Sequence, residues 1–302
     1  MDHTQTVSAL FKLLWQHYIA KMPQAQKAIE IVQKAGDEFV NDHVAFRTFG
    51  LEGLGITALD RIFLSLSYKK MDYMNFTEKK LNAFWYYPPD LSLPKVFISE
   101  LRVRELSEEA QEIILDYTNG HSTGIKGMDF KKPKTVAPAL STQARPWDIP
   151  SFEDYQALAT ESEYAAWVLA YGNELNHFTI SVNFLKRIRG LKALNDLLEA
   201  GGITLNDAGD KIKGTAEELL IQSSTVADQV DYAFSDGTQR IPYSYLEFAE
   251  RFPVPQKIKW MSEDELRSIP YNLYYQGFIP GNADKIFEST YQAQAKKLGP
   301  KS

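Results

Sequence analysis

Three short segments of the sequence each carry one residue able to hold a metal ion. His43 opens His-Val-Ala-Phe-Arg, His177 opens His-Phe-Thr-Ile-Ser-Val-Asn, and Glu247 lies in Tyr-Leu-Glu-Phe-Ala-Glu-Arg. Each segment reads as a short strand. Two neutral imidazoles and one carboxylate form a facial triad that leaves coordination positions open for substrate and oxygen, which is typical of non-haem Fe(II). A metalloenzyme is therefore the leading reading.

Side chains alternate across a strand. His177, Thr179, Ser181 and Asn183 share one polar face, with Phe178, Ile180, Val182 and Phe184 behind them. Tyr243, Tyr245, Glu247, Ala249 and Arg251 share a face in the last strand, and His43, Ala45 and Arg47 share one in the first. If these faces line the inside of a curved sheet, the three ligands converge.

The elements that must position them follow from periodicity. Residues 5–35 have helical spacing. A strand from 43, a helix over 54–70 and strands at 73–76, 84–87 and 95–103 come next. A connector over 106–170 holds helices near 108–119 and 151–169 around a proline-bearing loop at 131–150. The order then returns: strand 177–184, helix 185–200 stopped at Gly201-Gly202, strands 219–224, 230–234 and 241–252, and a loop and tail with a helix near 283–297. The expected fold is α+β. Two βαβββ modules (41–105 and 171–252) form a curved mixed sheet, or half-barrel, within one domain, flanked by a helical segment (1–40), the connector (106–170) and an extension (253–302). A His opens the first strand of each module, and a Glu sits in each last strand, Glu100 matching Glu247.

Composition narrows the class. The chain has 302 residues, 44% hydrophobic and 24% charged, with net charge -6 and no cysteine. That is an ordinary globular composition, and the acidic balance disfavours nucleic acid as a partner. The lack of cysteine excludes disulfides, thiolate zinc sites and iron–sulfur clusters. No signal peptide is visible, and no apolar run approaches the roughly 18–20 residues of a membrane span, so a cytoplasmic protein without membrane association is expected. The oligomeric state is left open.

Paired strand–helix–three-strand modules with ligands on first and last strands resemble the vicinal oxygen chelate superfamily. The segment from Tyr245 to Arg251 is similar to the strand that carries the carboxylate ligand in 4-hydroxyphenylpyruvate dioxygenases. Together, His43-Val-Ala-Phe-Arg47-Thr-Phe, Asn176-His177-Phe-Thr and Tyr245-Leu-Glu247-Phe resemble the 2-oxoadipate dioxygenase/decarboxylase (hydroxyglutarate synthase) family over roughly residues 40–255. The resemblance implies that His43, His177 and Glu247 bind Fe(2+). It also implies conversion of a 2-oxo diacid and O₂ to 2-hydroxyglutarate and CO₂ in lysine catabolism.

Arg47 shares the His43 face, and its planar fork suits a substrate carboxylate; it is the candidate catalytic and substrate-binding residue. Ser181, Asn183, Tyr245 and Gln222-Ser223-Ser224 are candidates to contact substrate or support the ligands. Glu100 is a candidate fourth ligand, a partner of the ligands, or half of a salt bridge to Arg102 or Arg104. As a ligand it would give a glyoxalase-type lyase, isomerase or hydrolase. A metal-free ligand-binding protein of the same fold is the third reading. The remaining groups have plainer expectations. His3 belongs to a tail, His17 packs or faces solvent on a helix, His121 lies in a solvated turn, residues 84–87 pack in the core, and the basic run 186–192 is a solvated helix face.

Overall fold

The structure, a computed structural model, describes residues 3–298. Two amphipathic helices, α1 (His3–Ala20) and α2 (Pro23–Lys34), precede the sheet. The first module is β1 (Asn41–Phe49), α3 (Ile56–Ser65), β2 (Lys69–Phe76), β3 (Leu81–Tyr87) and β4 (Lys95–Leu101). The connector holds α4 (Glu108–Thr118), α5 (Pro133–Val136), α6 (Phe152–Glu161) and α7 (Glu163–Tyr171). The second module is β5 (Leu175–Ser181), α8 (Leu191–Ala200), β6 (Leu220–Ser224), β7 (Gln229–Phe234), β8 (Gly237–Pro242) and β9 (Tyr245–Arg251). Four short helices follow: α9 (Pro255–Ile258), α10 (Glu263–Leu266), α11 (Pro280–Phe287) and α12 (Gln292–Ala295).

One curled seven-stranded sheet carries the site, in the order β2-β3-β4-β1-β5-β9-β6. The two modules meet where β1 runs antiparallel to β5, with His43 opposite Thr179 and Ala45 opposite His177. Each central strand has its own module's last strand as a parallel neighbour: β4 beside β1, β9 beside β5. This is the expected α+β half-barrel. The convex face buries Val44, Phe46, Val96, Ile98, Phe178, Ile180, Leu246 and Phe248, with helices such as α3 (through Phe63, its ring tilted against Phe46) packed on it. The concave face carries the polar residues.

The second module departs from the expected pattern. β7 and β8 form a separate two-stranded hairpin, so the strand expected at 230–234 is outside the main sheet, and residues 241–242 belong to β8 rather than β9. Their exposure explains it, because both hairpin strands are largely open and bury only their last residues, Phe234 in β7 and Ile241 and Pro242 in β8. The helix expected from 185 begins at Leu191. Upstream, the backbone N–H groups of Lys186, Arg187 and Ile188 all donate to the Asp37 carboxylate, and Gly190 takes φ +91°, so of that basic run only Lys192 lies on a helix. The region 151–169 is two helices, each capped by a serine hydroxyl, Ser151 and Ser162. His3 is not in a tail: it starts α1, with Nδ1 2.7 Å from Ser67 Oγ.

Candidate metal centre

Three strands bring His43, His177 and Glu247 together on the concave face, all buried, with one potential ligand atom of each within 4.8 Å of the others. Glu247 Oε2 is 3.0 Å from His177 Nε2, and Glu247 Oε1 is 3.4 Å from His43 Nε2. The rings stand nearly perpendicular, with centroids 5.8 Å apart.

Each imidazole is held by the residue just before it. His43 Nδ1 is 2.8 Å from Asp42 Oδ1, and His177 Nδ1 is 2.9 Å from Asn176 Oδ1. Neighbouring side chains on a regular strand point to opposite faces. Here the β1–β5 register shifts between Asn41 and His43, and such an irregularity re-aims a side chain. A carboxylate can only accept, so His43 Nδ1 carries a proton, and in the neutral ring Nε2 is then left with a lone pair. Thr179 Oγ1 lies 3.0 Å from that Nε2, and Gln222 Nε2 donates to Glu247 Oε1 at 2.5 Å. Gln222 is in turn held by Asn282 of α11, 3.1 Å from its Oε1.

The electrostatics fit a cation. Burial alone would raise Glu247, but the two histidines outweigh it and hold the carboxyl at about 2. Burial pushes His177 down to about 4, against the pull of Glu247. A neutral His177 that donates from Nδ1 points its Nε2 lone pair at a carboxylate oxygen, and that Nε2 has no hydrogen-bond partner. Two acceptors 3.0 Å apart repel, and a divalent ion between them turns both into ligands. His43 is raised; burial lowers it, but Glu247 and Asp42 prevail.

Asp42 is fully buried and well supplied with donors. Arg251 grips it through Nε at 2.7 Å and Nη2 at 2.8 Å, Tyr271 Oη donates at 3.0 Å, and Lys95 Nζ is 3.6 Å away. Burial raises its pKa, yet the neighbouring Arg251 and Lys95 charges hold it well below the carboxylate range. Burial draws Lys95 down to about 7 even beside Asp42.

Arg47 is 1% exposed and has no anion among its described partners. Nη1 donates to Thr290 Oγ1 at 2.8 Å, Nη2 to the Phe287 carbonyl at 3.1 Å, and Nε has no partner. Its guanidinium lies over the rings of Tyr164, Trp167 and Phe287. An unpaired buried cation is costly unless an anion comes to it. Tyr245 lies between the two features: its ring stacks on His177 with centroids 4.5 Å apart, and its buried hydroxyl faces the Arg47 guanidinium. Burial raises that phenol despite the nearby Arg47 charge.

A cavity of about 20 Å³ at the cluster is lined by Ala45, Phe97, Gln222 and Tyr245 from the sheet and by Phe278, Ile286 and Phe287 from the C-terminal segment. It has room for about one water. Phe278 stands edge-on to His43 at 4.8 Å.

The other expected site residues divide. Ser181 is buried on the concave face, opposite Ala249. Asn183 instead braces β9, exchanging hydrogen bonds with the Arg251 backbone. Ser223 is a correction: it pairs with Phe248 on the convex side and donates to Asn195 of α8 at 2.7 Å, because the one-residue alternation gives Gln222 and Ser224 the inner face. Glu100 is not brought to the cluster. Its Oε2 accepts from the Ile56 N–H at 2.8 Å, at the start of α3, and Asn82 donates to its Oε1. Its match with Glu247 is displaced by three residues. Ala45, two residues after His43, pairs with Phe97, just as Thr179, two after His177, pairs with Glu247. Arg102 bonds Glu105 rather than Glu100. His17 pairs with Glu174 at 3.0 Å, and His121 is exposed in a turn. Asp42, Phe97, Phe278, Tyr271 and Thr290 were not anticipated from the sequence. The aromatic density of Tyr271, Tyr274, Tyr275 and Phe278 in an expected tail is the signal that could have found the last group.

Fold and site together define a class: two-module half-barrel proteins with a two-histidine, one-carboxylate centre between the modules. The model of the 2-oxoadipate dioxygenase/decarboxylase family matches residues 2–257, and the chain belongs to that family. It is 42% identical over 294 residues to the chloroplastic 2-oxoadipate dioxygenase/decarboxylase of Arabidopsis thaliana, covering 93% of this chain and 76% of that protein. It is 41% identical over 290 residues to the chloroplastic/amyloplastic one of Oryza sativa subsp. japonica, covering 92% and 76%. The crystal structure of hydroxyglutarate synthase in complex with 2-oxoadipate from Oryza sativa superposes with a TM-score of 0.85 at 39% identity, covering 97% of this chain and 94% of that one. No helix among the described residues is long and apolar enough to cross a membrane.

Proposed function

We propose that this protein is an Fe(II)-dependent dioxygenase that decarboxylates 2-oxoadipate, taking up O₂ and releasing 2-hydroxyglutarate and CO₂. The carbon, hydrogen and oxygen of one oxo diacid and one O₂ are all accounted for in those two products. The observation that carries the reading is the buried cluster with a single carboxylate, since Phe97 occupies the twin position of Glu247 and leaves coordination positions free. His43 and His177 are the nitrogen ligands through Nε2, and Glu247 is the oxygen ligand. When bound, the metal supplies chelation of the oxo acid and activation of oxygen. The chain supplies the rest. Gln222 fixes the Glu247 carboxylate. Arg47 holds the far carboxylate of the diacid, exchanging its bonds to Thr290 and the Phe287 carbonyl for charge-assisted ones. Tyr245 and Ser181 offer hydroxyls along the substrate, while Phe97, Phe278 and Phe287 exclude water. The cavity is too small for a six-carbon diacid, so entry requires the C-terminal segment to shift.

A glyoxalase-type reaction has less support, because Glu100 is committed to α3. A place in lysine breakdown and a cytoplasmic location are part of this proposal for the chain; the names of the plant relatives place those proteins in plastids. The test is anaerobic loading with Fe(II), addition of 2-oxoadipate and admission of O₂, following O₂, CO₂ and hydroxyglutarate together. Equal O₂ consumption and CO₂ release with hydroxyglutarate formed is expected. Turnover without O₂, or with no metal bound, would overturn the reading.

A further inference from the structure

We infer that Asp42 is a positioning residue for the metal centre, holding His43 as a ligand through its Nδ1 while Arg251 and Tyr271 hold Asp42 itself. The inference rests on the metal reading above. Three observations carry it. The carboxylate and the imidazole are both buried and 2.8 Å apart, which fixes one tautomer and aims Nε2 at the cluster. The sister histidine has the same contact from the same preceding position, but from the neutral Asn176, so the two imidazoles differ mainly in the charge behind them. And Asp42 is clamped from β9 by Arg251 Nε and Nη2, with Tyr271 of the C-terminal segment adding a third donor. Arg251 itself is locked to the carbonyls of Tyr275 and Gly277. The imidazole thus cannot turn without disturbing a network that spans β1, β9 and the segment leading to Phe278.

A carboxylate behind a ligating imidazole makes it a stronger donor and resists its rotation; losing such a partner costs about 10–100-fold in metal affinity. Asp42→Asn gives His43 the neutral partner that His177 has, with little change in shape. The experiment titrates the metal-stripped full-length protein with Co(II), reading the visible absorption of the bound ion and its affinity against a competing chelator. Asp42→Asn should bind Co(II) about 10–100-fold more weakly than the unmodified protein and shift its visible spectrum. Binding within about twofold with an unchanged spectrum would show that the Asp42 charge serves only Arg251, and would overturn the inference while leaving the metal reading intact. If the unmodified protein takes up no Co(II), the metal reading fails and this inference with it. Because Asp42→Asn strands the buried Arg251, the double variant Asp42→Asn with Arg251→Gln removes both charges. Affinity that stays weak in the double variant, with thermal unfolding of the stripped protein restored, supports a direct action on His43. Affinity that returns to the unmodified value assigns the effect to Arg251 and overturns it.

Discussion

The two modules are built alike around the site, but only one supplies a carboxylate. In each, a histidine on the first strand is held by the Asx residue before it, and the last strand runs parallel beside it. Two residues beyond each histidine the partner on the last strand differs: Phe97 in the first module, Glu247 in the second. Three residues further on, both last strands carry a glutamate, Glu100 and Glu250, and both cap a helix: Glu100 Oε2 accepts from the Ile56 N–H, and Glu250 Oε2 from the Leu191 N–H at 2.7 Å. The structural glutamate is thus common to both halves, while the ligand-competent one is particular to the second. A symmetric site with two carboxylates would close the metal's coordination, whereas the asymmetric one keeps positions for an oxo acid and oxygen.

The largest effects should come from removing the three ligands that the two modules supply. His43→Ala, His177→Ala and Glu247→Ala should each abolish metal uptake and turnover while circular dichroism stays close to that of the unmodified protein. Full activity in any one would remove that residue from the centre. Making the halves alike is the sharper test. Phe97→Glu puts a second carboxylate at the twin position, so metal should still bind while O₂-dependent turnover disappears. Phe97→Ala serves as its control, since it removes the ring without adding a ligand; it should cost about 3–5 kcal/mol of stability but leave measurable turnover in whatever folds. O₂ uptake by metal-loaded Phe97→Glu at the unmodified rate would break the argument that asymmetry keeps the site open.

Arg47→Lys comes next. A lysine keeps the charge but loses the fork, so KM for a 2-oxo diacid should rise by roughly tenfold, about 1.4 kcal/mol, with metal content unchanged. A mono-acid of equal length should be nearly indifferent to the substitution. Equal sensitivity of the two substrates would take Arg47 away from the far carboxylate.

The sequence made the strand faces legible because their alternation is strict. Phe178, Ile180 and Val182 could only face helices, which put His177 and Thr179 on the inner side, and the same reasoning aligned Glu247 with Tyr245. What alternation cannot supply is register between strands far apart in sequence. Matching Glu100 to Glu247 by their shared letter missed the three-residue displacement that pairing reveals, and it hid Phe97. Asp42 escaped for a related reason: a regular strand would send it to the face opposite His43, and only the shifted register turns both side chains together. The C-terminal segment was opaque because its helices are too short for periodicity to speak. Its role rests on single long-range contacts, such as Phe278 against His43 and Thr290 against Arg47.

The smallest expected effect tests whether Glu100 and Glu250 really are the matched pair. Each helix they cap begins after a glycine, Gly55 and Gly190, with no side-chain cap of its own. A Cβ at Gly55 would fall 2.6 Å from Glu100 Oε2, and one at Gly190 would fall 3.5 Å from Glu250 Oε2. At Gly55 the missing side chain therefore admits the strand's carboxylate, while at Gly190 a Cβ would make ordinary contact and glycine serves the φ of +91°; at both helix starts the exposed N–H groups and the helix dipole favour negative charge. Glu100→Gln and Glu250→Gln should each lower stability by about 1 kcal/mol, by a similar amount in the two modules, with metal content and KM untouched. Denaturant unfolding of the two variants beside metal analysis decides it. Loss of metal from Glu100→Gln, with none from Glu250→Gln, would return Glu100 to the centre and undo the pairing on which the comparison stands.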